Sequence, residues 1–188
     1  MQKTCQFPYI LSIHQSIDPL YQRGVEKTPD LYFSDAANHL SGEEFARDVL
    51  GEYLAMDGRR LKFGYGSYGK PFLEEFPDIH FNVSHASGAI ICAVSDRPVG
   101  VDIEKKRKIN RRIINKYFRE SESNYVFSEN YHQNERFTRI WTMKEAYVKF
   151  TGKGLHQSFD TFDVFKIQGL TTFLYHCYYV AICQGGSD

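Results

Sequence analysis

The chain carries no excess of either charge. Its 23 Lys and Arg are matched by 23 Asp and Glu, and the pI is about 7.0. No global basic field exists to gather a polyanion, so nucleic acid is not an expected partner. Cysteine is sparse: Cys5, Cys92, Cys177 and Cys183 form no C-x-x-C pair, and Cys92 sits inside an apolar run. All four read as reduced, partly buried thiols of a reducing compartment. No apolar run approaches membrane-spanning length, and Met1 to Tyr9 lacks the charged-then-apolar plan of a secretory signal. The expectation is a soluble, cytoplasmic protein without a membrane partner. Low-complexity segments are absent. The glycine-rich stretch before Lys70 is not a P-loop, because Pro71 stands where that motif requires serine or threonine.

What is present suffices for a packed core. Of 188 residues, 42% are hydrophobic and 15% aromatic, which suits one compact domain or two small lobes packed as one unit. Tyr9 to His14 reads as a strand, with loop around Asp18-Pro19 and Thr28-Pro29-Asp30. A helical pattern covers Ser34 to Met56, with Phe45, Val49, Leu50, Tyr53 and Leu54 on one face and a capping box at Ser41-Gly42-Glu43-Glu44. Gly64, Gly66 and Gly69 predict a flexible loop. Strands follow at Ile79–Ser84, Ala89–Val94 and Val99–Glu104, separated by turns at Ser87-Gly88 and Asp96-Arg97-Pro98. Helices are predicted over Arg111–Phe118 and Ser121–Phe150, ended by Gly152-Lys153-Gly154. Strands are expected at Thr161–Ile167, Thr171–Cys177 and Tyr179–Cys183. Each half thus runs from helix to strand pair, which suggests an internal duplication with its junction near Pro98-Val99.

The chemistry gathers in two segments. In Val99-Gly100-Val101-Asp102-Ile103-Glu104, alternation puts Asp102 and Glu104 on one face of a strand, roughly 7 Å apart. About forty residues later, Trp141, Glu145 and Lys149 recur at four-residue intervals on a helix, with Lys144 alongside. Folded together, three carboxylates meet beside two lysines. Oxygen ligands for a hard cation and ammonium groups for the remaining charge compose a magnesium–diphosphate site. Each half alone is also an ordinary solvated surface or helix pair, so the conjunction carries the reading. Asn82-Val83-Ser84-His85 ends a strand where a hydroxyl, an imidazole and backbone N–H groups can bind phosphate. His80 and His85 point to opposite faces, which excludes them as a metal pair. Ser84-His85 is no hydrolase dyad, since neighbouring residues seldom achieve nucleophile–base geometry and no strand–turn–helix elbow follows. Lys70 can reach a phosphate as a point charge or be a plain surface lysine. The dense basic run, Lys105-Lys106-Arg107-Lys108 with Arg111-Arg112, reads as a solvated face or as a docking patch for an acidic protein.

In order, Gly69-Lys70-Pro71, Phe81-Asn82-Val83-Ser84-His85, Val99 to Glu104, Trp141-Thr142-Met143-Lys144-Glu145-Ala146 and Gly152-Lys153-Gly154-Leu155 resemble the motif set of 4′-phosphopantetheinyl transferases, most closely the larger, surfactin-synthetase-activating type. The resemblance spans roughly residues 30 to 183. It implies an α+β fold of two similar α/β lobes related by pseudo-twofold symmetry, residues 1–98 and 99–188, with coenzyme A in the cleft and a working monomer. It implies that Asp102, Glu104 and Glu145 hold Mg²⁺, with Mn²⁺ possible. A carrier-protein serine then attacks the β-phosphorus and 3′,5′-ADP leaves, with Lys149 stabilising charge. Lys70, Ser84 and His85 match positions that contact coenzyme A, and Lys144 lies beside them. The general base is left open among Glu145, Glu122, Glu120 and water. One departure stands out: Ala36-Ala37-Asn38-His39-Leu40 lacks the arginine that family members often direct at the 3′-phosphate, so either His39 or Lys27 replaces it or coenzyme A binds less tightly. Apo acyl, peptidyl or polyketide carriers are the implied partners, docking an acidic helix on Lys105–Arg112. Two other readings use the same residues: a metal-dependent phosphohydrolase, and a non-catalytic basic-patch binding module.

Overall fold

The computed structural model describes residues 11–13, 28–35 and 41–186. In chain order the elements are β1 (Leu11–Ile13), β2 (Asp30–Ser34), α1 (Gly42–Tyr53), β3 (Phe63–Tyr65), β4 (Pro71–Leu73), β5 (His80–Ala86), β6 (Ala89–Ser95), β7 (Val99–Lys105), α2 (Arg111–Tyr117), α3 (Glu120–Phe127), α4 (Gln133–Thr151), β8 (Leu170–Tyr175) and β9 (Tyr178–Gln184). Strands β1-β2-β6-β5 make one antiparallel sheet and β7-β9-β8 another, while β3 and β4 pair apart. The same order is drawn twice. A strand (β2 or β7) leads to a helix (α1 or α4), then to a hairpin whose second strand sits between its partner and the first strand. The second copy of this order begins at Val99.

The two sheets stack face to face. Leu31, Phe33 and Ile91 of the first meet Val101, Ile103, Val180 and Ile182 of the second in one apolar cluster. On the outer faces, α1 lays Phe45, Val49 and Leu50 against Tyr32, Ile90 and Cys92. Helix α4 lays Phe137, Ile140 and Ala146 against Ala181 and Cys183. The layers are helix, sheet, sheet, helix, an α+β arrangement. Helix α1 starts at the predicted capping box: Ser41 Oγ accepts from Glu44 N at 3.1 Å, and Glu44 Oε2 accepts from Ser41 N at 2.8 Å. Among the described residues, no helix is long and apolar enough to cross a membrane.

Four local readings need correction. Asp30–Ser34 is a strand, not loop leading into helix: Leu31, Tyr32 and Phe33 are buried on both faces, so no alternation marks them. The glycine-bearing stretch from Phe63 to Leu73 is a short hairpin. The helix predicted over Ser121–Phe150 is two, α3 and α4, broken before His132, which takes a left-handed φ of 67°. Thr161–Ile167 contains 3-10 turns rather than a strand, because Asp163 caps Phe165 N and a buried glutamate takes Val164 N. Ala36–Leu40, with His39, and Lys27 lie outside the described residues.

Candidate active site

The site forms along the seam where β5 runs beside β7. Asn82 Oδ1 accepts from Val101 N at 2.8 Å, so a buried side chain of one sheet satisfies the backbone of the other. Two residues along β5, Ser84 Oγ donates to Asp102 Oδ1 at 2.8 Å. From above, Lys149 Nζ donates to Ser84 Oγ and to Asp102 Oδ1, each at 2.7 Å. Gly100 brings the helix this close. A Cβ there would lie 2.2 Å from Phe150 N and 2.3 Å from Ala146 O, so only glycine admits α4 against β7.

The electrostatics are those of crowded acids. Asp102 is buried, and its Oδ2 has no hydrogen-bond partner. One turn before Lys149, burial and then the Asp102 carboxylate push Glu145 up to about 7, against the pull of Lys149. Burial also raises Glu104, whose Oε1 accepts from Arg107 Nη1 at 2.8 Å. An unshared buried oxygen and two carboxyls held above their usual range fit a hard divalent cation, which favours oxygen donors. The acids do not converge as they stand. Among the described residues, no three His, Cys, Asp or Glu side chains are gathered for a metal ion. Cations already hold two of them, Lys149 on Asp102 and Arg107 on Glu104.

Beside these groups opens a cleft of about 320 Å³, lined by Tyr68, Lys70 and Asn82 from the first half and by Glu145, Lys149 and Phe159 from the second. Tyr68, in the cleft lining, packs on His156 with ring centroids 4.9 Å apart. A larger hollow of about 780 Å³, beside Arg47, Glu52 and Arg59, touches none of the gathered groups. Lys70 lies in the cleft wall with Nζ donating to Val99 O at 2.8 Å and Phe150 O at 3.1 Å, and burial lowers its pKa to about 8. His85 is exposed and on the opposite side of β5 from Ser84.

Two predicted site residues belong elsewhere. Glu122 and Lys144 are both fully buried and pair with each other at 2.8 Å. Lys144 Nζ also donates to Phe159 O at 2.7 Å and Phe162 O at 3.1 Å. Glu122 accepts from Arg119 N at 2.7 Å and Val164 N at 2.8 Å. With every polar atom engaged and no access to the cleft, Glu122 is no general base and Lys144 no coenzyme contact. The sequence held the signal: Lys144 falls in line with Phe137 and Ile140, on the buried stripe of α4, about 100° round from Glu145. Glu120, at the start of α3, is exposed and does not line the cleft. Sequence reasoning also missed Asn82 as the strut between sheets, although it shares a face with Ser84.

Residues 98–181 match the model of the 4′-phosphopantetheinyl transferase superfamily. Over 131 residues the chain is 36% identical to the 4′-phosphopantetheinyl transferase Sfp of Bacillus subtilis, covering 69% of this chain and 58% of that protein. It is 37% identical over 140 residues to the 4′-phosphopantetheinyl transferase gsp of Aneurinibacillus migulanus, covering 73% and 57%. With the transferase HetI of Nostoc it shares 35% over 122 residues, covering 61% and 52%. The chain spans little more than half the length of these relatives. A crystal structure of Thermotoga maritima holo-[acyl-carrier-protein] synthase aligns over 48% of this chain at 16% identity with a TM-score of 0.36, too distant to bear on the argument. The family model covers the strand of Asp102 and the helix of Glu145 and Lys149, and the relatives extend the likeness across most of the chain: it belongs to the 4′-phosphopantetheinyl transferase superfamily.

Proposed function

We propose that this protein transfers the 4′-phosphopantetheine group of coenzyme A to a serine of an apo carrier protein. The observation that carries the reading is the group at the cleft: Lys149 and Glu145 in its lining, Glu145 raised to about 7, and buried Asp102, with an unshared oxygen, bonded to Lys149. The serine oxygen bonds to the β-phosphorus, the phosphorus–oxygen bond to the nucleotide breaks, and 3′,5′-ADP leaves with the electron pair. Glu145, the carboxylate that lines the cleft, accepts the serine proton directly or through a water. Asp102, Glu104 and Glu145 would hold Mg²⁺ or Mn²⁺, which supplies positive charge at the diphosphate. Lys149, once off Asp102, offers its ammonium to the same charge. Ser84 and Lys70 would meet phosphate oxygens, and exposed His85, on the other side of β5, would meet only the outer phosphate.

The basic run serves the carrier in this reading. Lys106 shares Glu135 at 3.6 Å, and Lys105 and Arg111 lie over the rings of Tyr178 and Phe127, but all stay near the surface facing outward from β7 and α2. An acidic helix would steer to them. The same reading places the protein in the cytoplasm as a monomer.

Incubation with coenzyme A, Mg²⁺ and an apo carrier, followed by intact mass spectrometry of the carrier, tests the proposal. A gain of one phosphopantetheine group is expected, lost with chelator and in Asp102→Ala. Carriers of several classes left unmodified, with coenzyme A binding intact, would overturn it. Cleavage of coenzyme A without any carrier would point instead to a phosphohydrolase.

A further inference from the structure

Arg107 is the member of the basic run that turns inward. Its backbone N–H donates to Thr138 Oγ1 at 2.9 Å, and its guanidinium lies 5.4 Å over the Trp141 ring, so α4 fixes both ends of the residue. The charge is spent on Glu104, at 2.8 Å. The rest of the run does otherwise: Lys106 meets Glu135 outside the site, and Lys105 and Arg111 lie over rings. The consequence is visible in the acids. Glu104 stands on the same face of β7 as Asp102, yet it is not gathered with Asp102 and Glu145. A guanidinium and a divalent cation on one carboxylate repel each other at a few ångströms, so the two occupancies compete.

We propose that Arg107 is a positioning residue that parks Glu104 away from Asp102 and Glu145, so that a divalent cation binds only by opening the Arg107–Glu104 pair. The inference rests on the metal reading of the three acids. It also gives the site its own reporter, because Trp141 is the one tryptophan of the chain and Arg107 lies on its face. Opening the pair changes the field at the indole.

The test titrates Mg²⁺ alone into the wild-type protein, Arg107→Gln, Arg107→Lys and Asp102→Asn. Calorimetry reads the binding and tryptophan emission reads Trp141. In Arg107→Gln the dissociation constant for Mg²⁺ is expected to fall about three- to fivefold, the size of a partly exposed ion pair. The emission change seen in the wild type is expected to vanish in that variant, and Arg107→Lys, which keeps the charge, to bind as the wild type does. Equal or weaker Mg²⁺ binding by Arg107→Gln would overturn the proposal and leave the metal reading standing, with Arg107 orienting Glu104 instead. Mg²⁺ bound by none of the proteins, or undiminished in Asp102→Asn, would overturn the metal reading and the proposal with it.

Discussion

Glu145 shows how far one side chain can be displaced by its surroundings. Burial, then the Asp102 carboxylate, lift it from 4.5 to about 7. The folded chain therefore binds this proton more tightly than the unfolded chain does. Its contribution to stability is complete below about pH 4.5 and is lost as pH rises through about 7. A shift of that size corresponds to roughly 3 kcal/mol or slightly more. Glu145→Gln is expected to lose this slope, so in metal-free buffer the variant gains on the wild type between pH 5 and pH 8. Denaturant unfolding at both values measures it, and parallel behaviour of the two proteins would show that the strain lies elsewhere. On Asp102 itself, Ser84 and Lys149 both donate to Oδ1, leaving Oδ2 as the unshared position.

Between elements, the pair Glu122–Lys144 decides how α3, α4 and the 3-10 turns after α4 sit together. Each group is fully buried, and together they hold Arg119 N, Val164 N and the carbonyls of Phe159 and Phe162. Removing one partner strands a buried charge, so Glu122→Leu or Lys144→Met alone is expected to cost about 3–5 kcal/mol. The double variant is expected to recover most of that loss in equilibrium unfolding. Additive losses would mean that the two charges act independently. The pair also explains what a sequence shows at this scale. Helix α1 was legible because its capping box and apolar stripe are local signals, β5 and β7 because apolar residues alternate along them, and β6 because turns bound its apolar run. Strand β2 was not, since it is buried on both sides and carries no period. Thr161–Ile167 alternates like a strand, yet its backbone is claimed by Glu122, some forty residues away. Arg107 and Asn82 were hidden for the same reason: what they touch is set by tertiary packing, of α4 on β7 for Arg107 and of sheet on sheet for Asn82.

For the whole molecule, the meeting of the sheets is the structural fact on which the cleft depends. Asn82 Oδ1 on Val101 N is a direct link across it. Asn82→Ala leaves a buried N–H without a partner and is expected to lower stability by about 1–3 kcal/mol. Hydrogen exchange at the Val101 amide should quicken by a matching factor while the amides of α1 do not. Unchanged exchange at Val101 would show that the seam holds without it. The duplicated order offers two such seams, and they differ. Where β5 meets β7, Ser84, Asp102 and Lys149 crowd together. Where β2 meets the β8–β9 hairpin, Phe33 packs on Tyr175 at 4.8 Å and on Tyr178 at 6.0 Å. One edge of the sandwich is closed with rings, and the other holds a cluster of charge. A plan written twice in the chain is thereby made lopsided: at one edge the meeting positions go to cohesion between rings, at the other to charge.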